Sequence, residues 1–254
     1  MELDFSFLLL SILVFIAGFI DSIAGGGGLI TIPAYINYKL PTEYLLGTNK
    51  LSSSSGTLIA TLKYLSELKF KKIYLIKIFI SSFVFSFSGA FFISKIPNYL
   101  LKIIIFFLIP TISFYLIKKK DFAITDTSGN LSEKHLNTRS IIIASVISFY
   151  DGILGPGTGT FLAVSYSKFI GYDILKSTAL AKFTNLVSNI SALSAFIILG
   201  KVNFKLGIFM GIISLIGNYL GSHFALKKGA DIIKPFIIIV SNLILLKTIL
   251  DFIK

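Results

Sequence analysis

The sequence predicts an all-α polytopic membrane protein, with about eight hydrophobic helical segments in two related four-segment repeats. The chain of 254 residues is 54% hydrophobic and only 14% charged, and its mean hydropathy is +0.85. A soluble domain carries about a quarter charged residues, whereas apolar blocks of bilayer-spanning length recur along this whole chain. In each repeat we expect the first segment to be broken or re-entrant at a glycine-rich stretch.

The composition excludes several kinds of site. The chain has no cysteine, which removes disulfides, thiol chemistry and zinc–thiolate sites, and it has only two histidines, too few for a multi-histidine metal site. The sequence shows no Ser/His/Asp arrangement and no carboxylate pair with hydrolytic spacing. We therefore expect no metal, no cofactor and no enzymatic activity.

The net charge of +12 would make nucleic acid a candidate partner for a soluble protein. Most lysines here stand at the ends of apolar blocks, where they set topology and contact anionic lipid headgroups. The expected partner is therefore the lipid bilayer and not nucleic acid. The expected location is the cytoplasmic membrane, crossed several times.

Residues 1–117 are predicted to form the first transmembrane repeat. The first apolar block, residues 5–20, runs into four consecutive glycines and then returns through Tyr38. Three more blocks follow, at residues 44–65, 73–93 and 99–117. The block at 44–65 is unusually rich in glycine, serine, threonine and asparagine, and such a face suits close helix packing or a wet cavity rather than lipid.

Residues 118–138 form the only long polar stretch, which predicts a flexible cytoplasmic linker. Residues 139–254 are then the second transmembrane repeat. Its blocks lie at residues 139–170, which contain a second glycine break, and at 174–199, 204–226 and 231–252. The block at 174–199 again has a polar face: Ser177, Thr178, Lys182, Thr184, Asn185, Ser188, Asn189 and Ser191.

The two halves resemble each other in spacing. A shift of 130 positions relates the two glycine-rich stretches, pairing Asp21 with Asp151, Gly25 with Gly155, and Gly27 with Gly157. From the second block onward a shift of 132 holds, pairing Lys50 with Lys182, Ser52 with Thr184, Lys69 with Lys201, Gly89 with Gly221, and Lys102 with Lys234. One shift that relates rare intramembrane lysines, a glycine and loop lysines indicates a duplicated unit.

The topology depends on what the glycine breaks do. The most basic connectors are residues 63–72, 118–120 and 227–234, and the positive-inside rule places all three in the cytoplasm. If the first block of each half is a re-entrant hairpin, all three connectors fall inside and the halves are inverted repeats. We favour this arrangement. The alternative is eight full spans in two parallel repeats.

The glycine breaks, Asp21–Pro33 and Asp151–Thr160, predict an anion site. Irregular backbone inside hydrocarbon survives only where it is buried or lines a wet cavity. A half-helix that starts after such a break directs free N–H groups and a positive dipole end at the gap. The alternative is a packing device that lets helices touch. The candidate donors are Gly25, Gly26, Gly27, Gly28, Gly155, Gly157, Thr158 and Gly159.

Lys50 and Lys182 each lie within the first two turns of a polar block. A lysine at depth in a membrane costs at least a few kcal/mol unless it is paired or hydrated. We favour two cations that neutralise an anionic substrate, one from each half, over snorkelling to the nearer interface. The neighbouring Thr48, Asn49, Ser52, Thr184 and Asn185 are candidate hydrogen-bond partners of that substrate.

Asp21 and Asp151 are the only acids embedded in apolar blocks. These carboxylates can cap the half-helices, pair with Lys50 and Lys182, or carry a coupled proton. We favour capping. All three roles place the two acids at the glycine breaks, as structural or coupling residues rather than as direct ligands.

The residue pattern also resembles a known family of membrane permeases. Residues 21–33, followed by 46–51, and residues 151–159, followed by 179–182 and Asn185, are similar to the sulfite exporter TauE/SafE family. The resemblance covers nearly the whole chain, with the breaks and lysine blocks in order. It implies transport of small sulfur-containing anions, such as sulfite, sulfonates or sulfoacetate. Because members differ in substrate and direction, neither follows from the resemblance.

We therefore expect a secondary transporter for a small oxyanion, sulfite or an organosulfonate, that works by alternating access between the two repeats. The anionic substrate would lie between the glycine breaks and the two lysines. An anion channel with the same site and a non-transporting membrane scaffold remain alternatives. A homo-oligomer is compatible with the sequence, which leaves the oligomeric state open.

Overall fold

Helices dominate the computed structural model, which describes residues 5–97, 100, 125–229, 231–233 and 235–236, and no strand occurs among these residues. The predicted blocks at 99–117 and 231–252 lie almost entirely outside this part of the chain. The helices are α1 Phe5–Ala24, α2 Gly28–Asn37, α3 Thr42–Glu67, α4 Lys72–Ser94, α5 Glu133–Ile153, α6 Thr158–Ser165, α7 Ile174–Ile198 and α8 Phe204–Lys228. A π-helical turn, Tyr166–Ile170, extends α6.

Four of the described helices, α1, α4, α7 and α8, are long and apolar enough to cross a membrane. Their outer faces carry large exposed side chains; on α1, Leu8, Ile12 and Ile16 form one such stripe at helical spacing. A soluble protein rarely exposes so much contiguous apolar surface. The chain is therefore an integral membrane protein built from helices, as the composition predicts.

Both glycine-rich stretches interrupt a helix. Helix α1 ends at Ala24 and α2 begins at Gly28, because Gly25 and Gly26 have φ values of 78° and 91°. Likewise α5 ends at Ile153 and α6 begins at Thr158, with φ of 92° at Gly155 and 81° at Gly157. Only glycine adopts such dihedrals freely, so the sequence dictates where the helices break.

The helices approach closely at small residues. Helix α1 packs along α8 and α4 packs along α5, while α3 and α7 lie at the centre against each other and against these pairs. A Cβ atom on Gly221 would lie 2.3 Å from the carbonyl oxygen of Phe19, and one on Gly89 would lie 2.3 Å from that of Phe149. Glycine at these crossings lets the backbones touch, as is usual between membrane helices.

The central helices α3 and α7 bury their polar faces. In α3 the buried polar residues are Thr48, Asn49, Lys50, Ser52, Ser54, Thr57 and Thr61. In α7 they are Ser177, Thr178, Lys182, Thr184, Asn185, Ser188, Asn189 and Ser191. Every residue of the polar face predicted for the block at 174–199 is thus buried. The prediction that these faces avoid lipid is confirmed.

The polar segment before α5 is partly structured. Helix α5 begins at Glu133 rather than at residue 139, because the hydroxyl of Ser132 accepts from the His135 amide and caps the helix. Upstream, Asp126 pairs with Lys176 at 2.9 Å, which fixes this segment against the start of α7. Residues 118–124 of the expected linker lie outside the described residues.

Candidate functional site

The two glycine breaks meet in space. The hydroxyl of Thr160 in α6 donates to the carbonyl oxygen of Ala24 at 2.8 Å. A Cβ atom on Gly25 would lie 2.3 Å from the Thr160 amide nitrogen and 2.7 Å from the Cα of Gly159. The backbones of the two breaks are therefore in contact, which only glycine permits.

Two ion pairs cross between the halves at this point. Lys50 of α3 pairs with Asp151 at the end of α5, with 2.6 Å between Nζ and Oδ2. Lys182 of α7 pairs with Asp21 near the end of α1, at 2.9 Å. Each lysine thus finds its counter-ion in the other half of the chain. The four charges sum to zero.

The Lys50–Asp151 pair is sealed. The side chains of Lys50 and Asp151 are 3% and 2% exposed. The Asp151 carboxylate also accepts from the hydroxyls of Thr158 at 2.8 Å and Ser188 at 2.7 Å. Lys50 Nζ donates further to the Asn189 side-chain oxygen at 2.9 Å. A buried ion pair is tolerated only when its remaining lone pairs and protons are satisfied in this way.

The Lys182–Asp21 pair is less enclosed. Lys182 is 1% exposed, whereas the Asp21 side chain is 15% exposed. Besides Lys182, the Asp21 carboxylate accepts from the Gly27 amide at 3.0 Å. Lys182 Nζ also donates to the main-chain carbonyl of Asp21. Capping and pairing, which the sequence left as alternatives, therefore occur together at Asp21.

A cavity of about 30 Å³ lies beside these pairs, enough for about two water molecules. Asp21, Lys50 and Asp151 line it, while Lys182 lies behind Asp21. Residues of the long helices α1, α3, α5, α7 and α8 and of both breaks line the cavity. Its uncharged lining is Ala17, Gly18, Gly26, Gly27, Gly28, Thr31, Asn49, Ser53, Thr57, Gly155, Gly159, Asn185, Asn189, Ser214 and Asn218.

Free backbone donors also line the cavity. The N–H groups of Gly26, Gly155 and Gly159 donate to no acceptor within the described part of the chain. Buried N–H groups of this kind are normally satisfied by protein, water or a ligand. Three such groups from two breaks give the cavity the donors that an oxyanion requires.

The structure brings most of the predicted binding residues to the cavity wall. Those that do not line it are Gly25, Thr48, Ser52, Gly157, Thr158, Lys182 and Thr184. The hydroxyl of Tyr35 donates to Ser52 at 2.9 Å, and the hydroxyls of Tyr166 and Thr184 lie 2.9 Å apart. Thr48 accepts from the backbone amide of Asn203. These three hydroxyls tie neighbouring segments to the central helices.

One wall of the cavity was not predicted from the sequence. Ser214 and Asn218 of α8 line it, and the Asn218 amide group donates to the Ser214 carbonyl at 3.0 Å. A Cβ atom on Gly18 or Gly56 would lie 2.9 or 2.3 Å from the Asn218 side-chain nitrogen, so these glycines make room for it. The signal was present, since Ser214 and Asn218 share one face of a mainly apolar helix.

Broken helices that meet at buried charges and free amides inside a helical membrane protein are a feature of membrane transporters. The sequence profile of the family described as "Sulfite exporter TauE/SafE" matches residues 10–248, nearly the full length. The chain belongs to this family of membrane transporters.

Curated relatives agree with this assignment. A protein of a Sinorhizobium species named probable membrane transporter is 37% identical over 98% of this chain and 95% of its own length. The probable membrane transporter protein YfcA of Escherichia coli is 36% identical over 96% of this chain and 91% of its own. A Haemophilus influenzae protein, also named probable membrane transporter protein, is 34% identical over 93% of this chain and 92% of its own length. No solved structure matches the chain.

Proposed function

We propose that this protein is a secondary transporter that moves a small anion, sulfite or an organosulfonate, across the cytoplasmic membrane by alternating access. The observation that carries the proposal is the cavity between the two breaks, where free amides of Gly26, Gly155 and Gly159 meet the charge of Lys50. The family description names sulfite export, which supports the substrate class.

The chemistry of the cavity suits an oxyanion. Preorganised backbone N–H groups and an ammonium group stabilise negative charge on oxygen most strongly where water is excluded. Asn49 and Asn185 line the same cavity and add side-chain amides. Lys182 lies directly behind Asp21, so a movement of Asp21 brings a second cation to the anion.

Alternating access follows from the way in which the halves are joined. The contacts of Gly89 with Phe149 and of Gly221 with Phe19 occur at positions related by the shifts of 132 and 130. This supports two structurally related halves, each lending its third helix to the first helix of the other, and the positive-inside rule favours their being inverted with respect to the membrane. Rocking one half against the other then opens the site to each side in turn.

The test is flux by the purified protein in liposomes. The panel is labelled sulfite, methanesulfonate, sulfate and acetate, each compared with protein-free liposomes. We expect saturable flux of sulfite or the sulfonate, and little flux of acetate. Flux that rises without saturation would favour an anion channel, and absence of flux for every anion would favour a scaffold.

Lysine variants connect the flux to the site. Lys50→Gln and Lys182→Gln remove one site charge each, and we expect either change to lower the flux at least tenfold, about 1.4 kcal/mol of lost anion stabilisation. The matched control is Lys77→Gln in α4, a half-buried lysine that does not line the cavity. Wild-type flux in both site variants, correctly inserted, would contradict the anion site.

A further inference from the structure

We infer that Asp21 takes up a proton when the anion binds, so that the protein moves one proton together with each negative charge. The inference rests on the proposed anion transport and adds its coupling ion. Three features of the described residues carry it: the neutral sum of the four site charges, the partial exposure of Asp21 to the cavity, and the position of Lys182 behind it.

The charge balance of the site requires a companion for the anion. Two lysines and two aspartates sum to zero in this structure, and the charged groups that line the cavity itself are Asp21, Asp151 and Lys50. A monovalent anion that entered this cavity alone would leave one buried negative charge without compensation. Buried charges are retained only when they are paired. A proton on one aspartate restores the sum to zero.

Asp21 is the acid that can accept this proton. The Asp151 carboxylate accepts from Lys50, Thr158 and Ser188, and its side chain is 2% exposed. A proton on Asp151 would therefore have to displace one of these three donors. Asp21 accepts from only two groups and reaches the cavity. Both acids line the cavity, but a proton displaces fewer hydrogen bonds at Asp21, whose side chain is also the more exposed, 15% against 2%.

The groups that face Asp21 are compatible with this role. Lys182 of α7 is its ion partner, and Lys50 of α3 and Asp151 of α5 share the cavity with it. Tyr64 of α3 donates from its hydroxyl to the carbonyl of Ser22, the next residue along the chain. On the wall formed by α8, the groups that line the cavity are uncharged, and α2 and α6 contain no ionisable residue apart from Tyr35.

The proton step balances as follows. In the empty site, the Lys182 ammonium pairs with the Asp21 carboxylate. One proton from water on the entry side bonds to a carboxylate oxygen of Asp21, which becomes a neutral carboxylic acid and releases Lys182. The anion then pairs with the ammonium, so that the loaded site is neutral as well. On the exit side the anion and the proton leave, and the original ion pair re-forms.

The experiment uses the wild-type protein in liposomes with labelled methanesulfonate, whose charge stays constant over the pH range, and with labelled sulfite in a second arm. Potassium and valinomycin hold the membrane potential at zero. With the interior one pH unit more alkaline, we expect accumulation of up to about tenfold, because proton and anion ratios balance at one-to-one coupling. A membrane potential without a pH gradient should produce no accumulation.

The variant Asp21→Asn separates coupling from binding. Asparagine imitates the protonated acid permanently, so the anion can pair with Lys182 without a proton. We expect exchange of labelled for unlabelled anion to persist while accumulation driven by the pH gradient falls from about tenfold to none. Asp21→Glu should restore part of the accumulation. Asp126→Asn, a surface acid outside the site, should behave as wild type.

Each outcome decides a different point. A wild-type protein that moves neither anion overturns the proposed transport and the coupling with it. A wild-type protein that exchanges the anion but does not respond to the pH gradient, or that responds to membrane potential alone, overturns only the coupling. If Asp21→Asn still accumulates anion in response to the gradient, Asp21 is not the proton carrier.

Discussion

The two Lys–Asp pairs occupy equivalent places in the two halves, yet their surroundings differ. Asp151 accepts from the hydroxyls of Thr158 and Ser188, and its pair with Lys50 is sealed. The shifts of 130 and 132 relate these two hydroxyl residues to Gly28 and Gly56. Both hydrogen-bond donors of one pair are thus replaced by glycine at the other.

The glycine at position 56 makes room for two polar side chains of α8. Asn218 and Ser214 of α8 approach the place that a side chain at position 56 would fill, since a Cβ there would lie 2.3 and 2.4 Å from their side-chain atoms. The cavity extends along this wall to Asp21. Small changes at two equivalent positions therefore leave Asp21 with fewer hydrogen-bond donors than Asp151, although both carboxylates line the cavity.

The largest expected effect comes from breaking the sealed pair. Asp151→Asn leaves the buried charge of Lys50 without a counter-ion and places an NH₂ group against donors, because both carboxylate oxygens of Asp151 accept hydrogen bonds. We expect the free energy of unfolding to fall by about 3–5 kcal/mol. For Asp21→Asn we expect about 2 kcal/mol, because the cavity lets the amide turn away. Denaturant titration in detergent micelles measures both.

The double variant Lys50→Met with Asp151→Leu controls for the loss of charge. Replacing a whole buried pair by apolar residues is often close to neutral for stability. We expect this variant to regain most of the stability lost in Asp151→Asn, while its anion flux stays low because the charge of Lys50 is absent. Equal losses for Asp21→Asn and Asp151→Asn would show that the two pairs are equivalent after all.

The second-largest loss of stability is expected at the glycine breaks, and it should differ between the two. Gly25→Ala places a methyl group 2.3 Å from the backbone nitrogen of Thr160 at a φ of 78°, so neither partner can move aside. We expect a loss of about 3 kcal/mol, from overpacking and the left-handed backbone together. At Gly155 the same methyl group meets the side chains of Asp151 and Lys50 first.

Gly155→Ala should therefore cost less stability than Gly25→Ala but disturb the Lys50–Asp151 pair more. The measurement is thermal unfolding of both variants in one detergent, together with anion flux in liposomes. If Gly155→Ala proved the more destabilising change, the backbone contact between the two breaks would matter less than the geometry indicates.

The third effect concerns the hydroxyl donors, which are present beside Asp151 and absent beside Asp21. Thr158→Val removes one hydroxyl donor from Asp151, and we expect a loss of about 2 kcal/mol, since a hydrogen bond to a charged group contributes about 1.5–3 kcal/mol. Gly28→Ser adds a hydroxyl at the equivalent place, where a Cβ has 3.4 Å to its nearest neighbour. This variant should give the Asp21 carboxylate a further hydrogen-bond donor and slow the flux driven by a pH gradient.

For Thr158→Val the measurement is the free energy of unfolding in detergent. For Gly28→Ser it is the initial rate of anion flux at two pH gradients. Gly28→Ala serves as the control, because it adds the same Cβ without a donor. A serine variant that transports no differently from the alanine variant would show that hydroxyl donors at this position do not govern Asp21.

Local patterns in the sequence predicted much of this arrangement. Four glycines in apolar sequence predicted the break after Ala24, because only glycine adopts the dihedrals found at Gly25 and Gly26. The polar faces of α3 and α7 were predicted to be buried, because lipid cannot satisfy serine, asparagine and lysine side chains. Each of these inferences needed only one segment of chain.

The rest depended on how distant segments dock. The pairing of Lys50 with Asp151 joins residues a hundred positions apart, and pairing was one of three roles that the sequence allowed. The wall formed by Asn218 was not predicted, because the apolar neighbours of Asn218 dominate the mean hydropathy of its segment. The start of α5 at Glu133 was placed too late for a related reason, since its first turns are polar and the signal is the Ser132 cap.

The smallest expected effect lies outside the site, at the Asp126–Lys176 pair. Burial raises the pKa of the Asp126 carboxyl, but hydrogen bonds from Ser128 and Lys176 and the charge of Lys176 outweigh it, so the pKa lies below its ordinary value. A carboxyl with a lowered pKa stabilises the fold above its unfolded pKa, and this contribution disappears as the pH falls through the folded pKa.

Asp126→Asn should therefore lower the free energy of unfolding at neutral pH by about 0.5 kcal/mol, a value discounted for solvent screening because both side chains are partly exposed. The difference should begin to shrink as the pH falls below the unfolded pKa of about 3.9, and it should approach zero only below the lower folded pKa, where the wild-type carboxyl gains its proton. Unfolding of both proteins in detergent at pH 7 and pH 3 measures this. A difference that did not shrink on acidification would mean that the charge of Asp126 does not stabilise the fold, in contrast to the charges of Asp21 and Asp151.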